Sequence, residues 1–333
     1  MDPVTQGVVG AAFAQTRGPK RDLAKAALIG ALAGMAADLD ILIRSPSDPL
    51  LVIDYHRQFT HSIFFIPLGA LLCTLVFHPL LARRWKLNFR QVYLWSLLGY
   101  ATHGLLDTCT TYGTMLLWPL SHTRYSFDIV SVVDPLFTVP LLVSVIASMK
   151  RRSRSYLGWG LAWMVLYLAV GYAQHERALD LGSELAETRG DKVIRIQAKP
   201  SFANLVIWKV IYETEGYYHV AAVKPGPGSR RIWEGVSVEK LVPSRDFPWL
   251  ATDSQQAQDI ERFRRASDGY MARDPRNAHR LGDIRYSLLP QDATPLWGIE
   301  LDATAPSDAH VRTYAHRENP GEAGRRLLQM LFE

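Results

Sequence analysis

The sequence predicts a multi-span α-helical membrane domain, made of five long helices and a short N-terminal helix, followed by a small α+β domain with an antiparallel sheet. Three observations predict it. Long apolar stretches crowd residues 1–173, whereas 174–333 alternate apolar and polar residues. The charge divides at the same place, with 15 Lys+Arg against 9 Asp+Glu up to residue 173 and 22 against 23 beyond it. The basic residues of the first part fall mostly into three short clusters between apolar stretches. A mean hydropathy of −0.02 therefore averages a membrane half and a water-soluble half.

Composition excludes several classes. A 48% hydrophobic chain of 333 residues is not disordered. Two cysteines cannot build a disulfide framework or a thiolate zinc module. The net charge of +5 does not indicate nucleic-acid binding, because the excess sits beside the apolar stretches.

Taken in order, residues 4–16 form the short Gly/Ala-rich helix, suited to close packing. Stretches 26–43, 63–82, 91–106, 129–149 and 156–173 are each close to the roughly 20 residues of a tilted crossing. A soluble bundle is the competing reading, but several such stretches in one region are hard to bury in water. Arg17, Lys20, Arg21 and Lys25 form the first basic cluster. Arg83, Arg84, Lys86 and Arg90 form the second, and Lys150, Arg151, Arg152 and Arg154 the third. The clusters follow every second crossing, so they share one side, and the positive-inside rule makes it cytoplasmic. The stretch 156–173 then runs outward and leaves 174–333 outside. No basic segment precedes 4–16, so a cleaved signal peptide is not expected.

On that topology the unusual polar residues gather at the outer boundary. Asp38 and Asp40 end one helix, His56 and His61 lead into the next, and His103 and Asp107 end the third long helix. Asp128 and Asp134 open the fourth, where Asp134-Pro135 reads as a helix cap. Carboxylates and imidazoles at membrane depth cost several kcal/mol unless paired or metal-bound. His103 and Asp107 are four apart and share a helix face, which suits two ligands of one metal or a His held by its carboxylate. Mixed N and O donors suit Zn first, with Mn or Fe as alternatives. His78, on the inner side, reads as a packed residue, and Cys73 and Cys109 as inert thiols.

The strings MDPVTQGVVGAA, AADLDILI (36–43), HRQFTHS (56–62) and HGLLD (103–107) resemble the YdjM-type family of inner-membrane metal-dependent hydrolases. WPLSHTRYSFDIVSVVDPLF (118–137) looks like the segment that follows in longer members. The order and spacing of the motifs make the resemblance specific over about residues 1–140. It implies that His56, His61, His103, Asp107, Asp38 and Asp40 form a metal site with Asp38 or Asp40 as ligand or general base. Thr60 and Ser62 would support that site. Many relatives carry His after the opening M-D-x-x-T where this chain has Gln6; if that His is a ligand there, the site here is altered or Gln6 acts by hydrogen bonding.

Beyond residue 174, segments 193–198, 206–213, 217–223, 231–234, 284–289, 296–301 and 310–315 read as strands. Residues 225–229 read as a turn, 254–271 as an exposed helix and 321–332 as a closing helix. The function expected is that of a metal-dependent hydrolase of the bacterial inner membrane. It would act on a lipid-linked or amphipathic substrate, such as a phosphoester, at the outer face. The alternatives are a non-enzymatic metal-binding or partner-presenting membrane protein, and an ion or proton carrier. A carrier would string ionisable residues across the whole membrane depth, whereas these crowd one face.

Overall fold

The computed structural model describes residues 1–226, 230–316 and 318–333. The chain divides into two compact units. The first holds Met1–Leu42, Tyr55–Tyr172 and Phe202–Asn204, and the second holds Ile43–Asp54, Ala173–Ser201 and Leu205–Glu333.

The first unit is helical. Helix α1 (Pro3–Arg17) starts where Asp2 accepts hydrogen bonds from the Val4 and Thr5 backbone, with Pro3 in its first turn. Helix α2 (Leu23–Met35) lies directly against it. A Cβ on Gly10 would stand 2.4 Å from the Gly30 carbonyl oxygen, so only glycine admits that approach. Every residue from Thr5 to Ala12 is buried. The segment read from sequence as a short Gly/Ala-rich helix suited to close packing is buried in the unit, because its small residues let neighbours reach its backbone.

Helix α3 (Leu51–Tyr55) is a single turn. Helix α4 (Ile66–Phe77) has Pro67 in its first turn and runs into a wide turn at His78–Ala82. Helix α5 (Phe89–Asp107) opens with a capping box between Asn88 and Gln91. Helix α6 (Pro135–Arg151) is capped by the Asp134 carboxylate and ends at Arg152 with φ +49°. Helix α7 (Ser155–Arg189) is 35 residues long, and its residues from Ala173 onward belong to the second unit.

Among the described residues, α7 is the helix long and apolar enough to cross a membrane alone. The pair Leu51–His61 and Ile66–Ala82 passes the same test only when taken together, and it is bent by 92°. Stretch 26–43 is not one helix: α2 stops at Met35 and a 3-10 turn, Ala36–Leu42, carries Asp38 and Asp40 aside. Large apolar side chains remain on the surface of the unit. They include Leu72, Leu75 and Val76 of α4, and Leu136, Val139 and Val143 of α6, each at least half exposed.

The second unit is α+β. Strands β1 (Arg195–Pro200), β2 (Trp208–Glu213), β3 (Tyr217–Pro225) and β4 (Arg230–Glu239) form an antiparallel sheet in sequence order. Helices α8 (Pro243–Asp246) and α9 (Gln255–Ala266) follow. Strands β5 (Met271–Asp274), β6 (Asn277–Asp283), β7 (Trp297–Glu300) and β8 (Arg312–Ala315) make a second antiparallel sheet, and α10 (Pro320–Phe332) closes the chain. One antiparallel sheet was expected and two are present. One core gathers Leu50, Phe247, Ile260, Phe263, Leu281 and Ile299. Another gathers Ile211, Tyr218, Val220, Tyr270 and Ile284.

Three expectations change here. The helix read at 254–271 ends at Ala266, since Met271 begins β5. It is not exposed all round: Ile260, Phe263 and even Asp259 are buried, the last by accepting from His310 Nδ1 at 2.8 Å and Val311 N at 3.1 Å. The strand read at 284–289 is a turn, because Asp283 accepts from the Arg285 backbone and guanidinium and folds the chain back. The turn read at 225–229 lies partly outside the described residues, which resume at Arg230.

Candidate metal centre

Three short stretches of the first unit supply the site. The 3-10 turn after α2 presents Asp38 and Asp40, the 3-10 turn Phe59–His61 presents His61, and the last turn of α5 presents His103 and Asp107. Gly104 lets the second stretch meet the third. A Cβ there would stand 2.3 Å from the His61 carbonyl oxygen.

Asp38, His61, His103 and Asp107 each offer one donor atom, all within 4.8 Å of one another. His61 Nε2 lies 3.5 Å from Asp38 Oδ1 and 3.4 Å from Asp107 Oδ2. His103 Nε2 lies 3.3 Å from Asp38 Oδ1 and 3.9 Å from Asp107 Oδ2. Four ligands at bond lengths near 2.0–2.2 Å around a tetrahedral ion stand roughly 3.3–3.5 Å apart. Three of the four distances fall in that range and the fourth is 3.9 Å, a donor set that a small divalent cation would draw together.

The outer nitrogens fix the tautomers in the required sense. His103 Nδ1 donates to the Gly34 carbonyl, which leaves Nε2 as a lone pair facing the cluster. His61 Nδ1 sits 3.3 Å from Asp40 Oδ2 and 2.9 Å from Thr60 Oγ1. Its Nε2 is buried and has no hydrogen-bond partner among the described residues. Asp107 Oδ2 also makes no well-formed hydrogen bond, although Arg57 Nε pairs with it by charge at 3.1 Å. A buried imidazole nitrogen without a hydrogen-bond partner, beside a buried carboxylate oxygen that meets only the Arg57 charge, is costly unless a cation joins them.

Asp40 stands beside this set. It accepts from Thr60 Oγ1 at 2.6 Å and Arg57 N at 3.2 Å, and pairs with His56 Nδ1 at 2.7 Å. Asp38, Asp40 and His56 form a second group that shares Asp38 with the first. Ser62 is not brought into the cluster: its hydroxyl donates to the Trp118 carbonyl at 2.5 Å and so pins the following loop. Asp128 and Asp134 lie outside both groups.

Arg57 is not among the site residues that the sequence predicts. The Arg is 5% exposed, with Nη1 donating to Thr110 Oγ1 at 3.1 Å while Nε faces Asp107. Its position directly after His56 was the available signal. Gln6 acts by hydrogen bonding: Nε2 donates to Asp107 Oδ1 at 2.9 Å, and the Met1 amine touches the same oxygen.

A helical unit built around a His/Asp cage, joined to a two-sheet domain, defines the class of this chain. The family model described as "YdjM inner membrane protein" matches residues 1–178, and the chain belongs to that family. An uncharacterized protein of Bacillus subtilis (strain 168), YfhP, is 24% identical over 211 residues, which is 61% of each chain. The chain thus spans about three fifths of that relative's length. No solved structure matches.

Proposed function

We propose that this chain is a multi-pass protein of the bacterial cytoplasmic membrane that binds a divalent metal, Zn by preference, at Asp38, His61, His103 and Asp107. It uses the site to hydrolyse a lipid-linked or amphipathic substrate, such as a phosphoester, at the outer membrane face. The observation that carries the reading is the convergence of four donors within 4.8 Å of one another, one of which, His61 Nε2, is buried with no hydrogen-bond partner among the described residues. Apolar side chains exposed along α4 and α6 support contact with membrane lipids.

A bound divalent ion supplies a Lewis acid and a water of lowered pKa. The chain's own groups do the rest. Asp38 is the outermost of the four, with 24% of its side chain exposed, so substrate approaches past it. Asp40 and Thr60 hold the His61 ring, and Arg57 and Gln6 hold Asp107. His56 is 31% exposed and tied through Nδ1 to Asp40, so its other ring nitrogen serves to carry a proton to or from substrate.

Metal content of the detergent-purified chain, measured by plasma mass spectrometry, tests the site. Stoichiometric metal is expected in the wild type and near-complete loss in a folded His61→Ala/His103→Ala variant. Equal, negligible metal in both after supplementation would overturn the reading. A metallated protein that turns over none of a panel of phosphoesters and lipid-linked substrates would leave a metal-binding, non-catalytic protein.

A further inference from the structure

The first unit carries a basic pocket that shares no residue with the His/Asp cluster. Its volume is about 350 Å³. Arg21, Asp22 and Lys25 line it at the start of α2, Trp85 and Lys86 in the turn before α5, and Gln91 in the first turn of α5. Lys25 Nζ donates to Asp22 Oδ1 at 2.7 Å and to the Trp85 carbonyl at 3.5 Å, which ties the start of α2 to that turn. Three cations stand against one carboxylate, +3 and −1, so the lining is +2. Asp22 is buried and pairs with Lys25 and, at 3.4 Å, with Arg21, so its charge is neutralised within the pocket wall. Lys86 is exposed and takes φ +55°, a backbone conformation that favours Gly or Asn. The turn itself therefore gives no reason for a lysine there.

Apolar stripes lead away from this pocket. On α2, Lys25 is followed by Leu28 and Leu32, and on α5, Gln91 is followed by Leu94 and Leu98. Both series step i, i+3, i+7 and so keep to one face of their helix. Leu28 is 43% exposed and Leu94 39%, with Leu32 and Leu98 half-buried. The two helices run side by side from the pocket: a Cβ on Gly99 would stand 2.3 Å from the Gly30 carbonyl oxygen, and further along His103 meets the Gly34 carbonyl. A cationic recess at the start of two apolar stripes is complementary to a molecule with an anionic head and apolar chains. A soluble phosphate would use the cations and leave the leucines bare. Trp85 is the aromatic side chain expected where head groups meet acyl chains.

We propose that this pocket holds the phosphodiester head of one anionic phospholipid, with its acyl chains laid along Leu28 and Leu94. The pocket lies at the boundary that Lys and Arg mark as cytoplasmic, and the site does not depend on a bound metal.

Native mass spectrometry of the full-length chain in non-ionic detergent tests it, with dioleoylphosphatidylglycerol titrated beside dioleoylphosphatidylcholine. One phosphatidylglycerol per chain is expected, bound roughly tenfold more tightly than phosphatidylcholine. Lys25→Gln and Lys86→Gln should each lower that affinity about fivefold. Lys25→Gln also unpairs the buried Asp22, so the exposed Lys86→Gln is the variant that decides. Leu94→Ser should weaken binding about threefold by removing a chain contact. Arg151→Gln removes an exposed charge of the third basic cluster that does not line the pocket, and should change nothing. Equal binding of the two lipids overturns the proposal. So does a loss in Arg151→Gln as large as in Lys86→Gln, since diffuse surface charge would then suffice. Displacement of the lipid by an equal concentration of inorganic phosphate, with Leu94→Ser unaffected, would make a soluble anion the occupant and overturn the lipid assignment.

Discussion

Lys209 is 2% exposed in the middle of β2, where its ammonium donates to Ser287 Oγ at 2.7 Å and to the Asp292 carbonyl at 2.6 Å. No carboxylate pairs with it at hydrogen-bonding distance among the described residues. Burial, and secondarily the Lys199 charge, push its pKa down to about 7 from 10.5. Between those two values the unfolded chain binds a proton that the native chain does not. The stability of the second unit therefore rises as pH climbs through that window, and below about pH 7 the full penalty applies. The difference amounts to up to about 5 kcal/mol. Lys209→Met should flatten this slope and raise stability at pH 6, because Ser287 Oγ still has the Asp292 carbonyl at 2.7 Å. Urea unfolding of the full chain at pH 6 and pH 9, followed by tryptophan fluorescence, checks it. An unchanged slope in the variant would show that Lys209 is not the group responsible.

Elements meet at the site through backbone approach, and α5 makes the sharpest case. A methyl group on Gly104 would overlap the His61 carbonyl, a backbone group rather than the far end of a flexible side chain. Gly104→Ala should cost about 1–3 kcal/mol of stability and displace His61 from His103, lowering metal affinity roughly tenfold. Gly158→Ala on α7 meets open space and should do neither, so thermal melting and metal titration of the pair separate fit from general helix effects. The donor residues were legible in the sequence because each is a polar exception next to an apolar stretch, and a costly exception signals a use. Their supports were not. The Gly34 carbonyl carries no side-chain signal, and Arg57 looks like any loop cation until the fold buries it. The caps of α5 and α6 were legible in Asn88–Gln91 and Asp134-Pro135, since capping is local chemistry. The β5–β6 hairpin was not, because Arg273, Asp274, Arg276 and Arg280 blur its alternation. The apparent alternation of Ile284, Tyr286 and Leu288 misled in the other direction, where the Asp283–Arg285 contact turns the chain.

At the scale of the whole molecule, charge distribution and the helical unit bear on different properties of the chain. Lys and Arg alone predict which boundary is cytoplasmic, and they place every donor of the cluster at the opposite one. The first unit brings four of those donors together without reference to any membrane. The charge-based topology puts the second unit outside and the third basic cluster in the cytoplasm, and one labelling experiment tests that. Cys73 and Cys109, the two native thiols, are first replaced by Ala. Single cysteines are then introduced as Asp253→Cys, on an exposed residue of the second unit, and Arg151→Cys, exposed at the end of α6 within the third basic cluster. A membrane-impermeant maleimide should label Asp253→Cys in intact spheroplasts and Arg151→Cys only after lysis. The opposite pattern would place the second unit in the cytoplasm and the third basic cluster outside, and would overturn the charge-based topology. Labelling of both in intact spheroplasts would mean that an odd number of membrane crossings does not separate the two sites, which would remove α7 as a span even though it is the helix best suited by length and composition to be one.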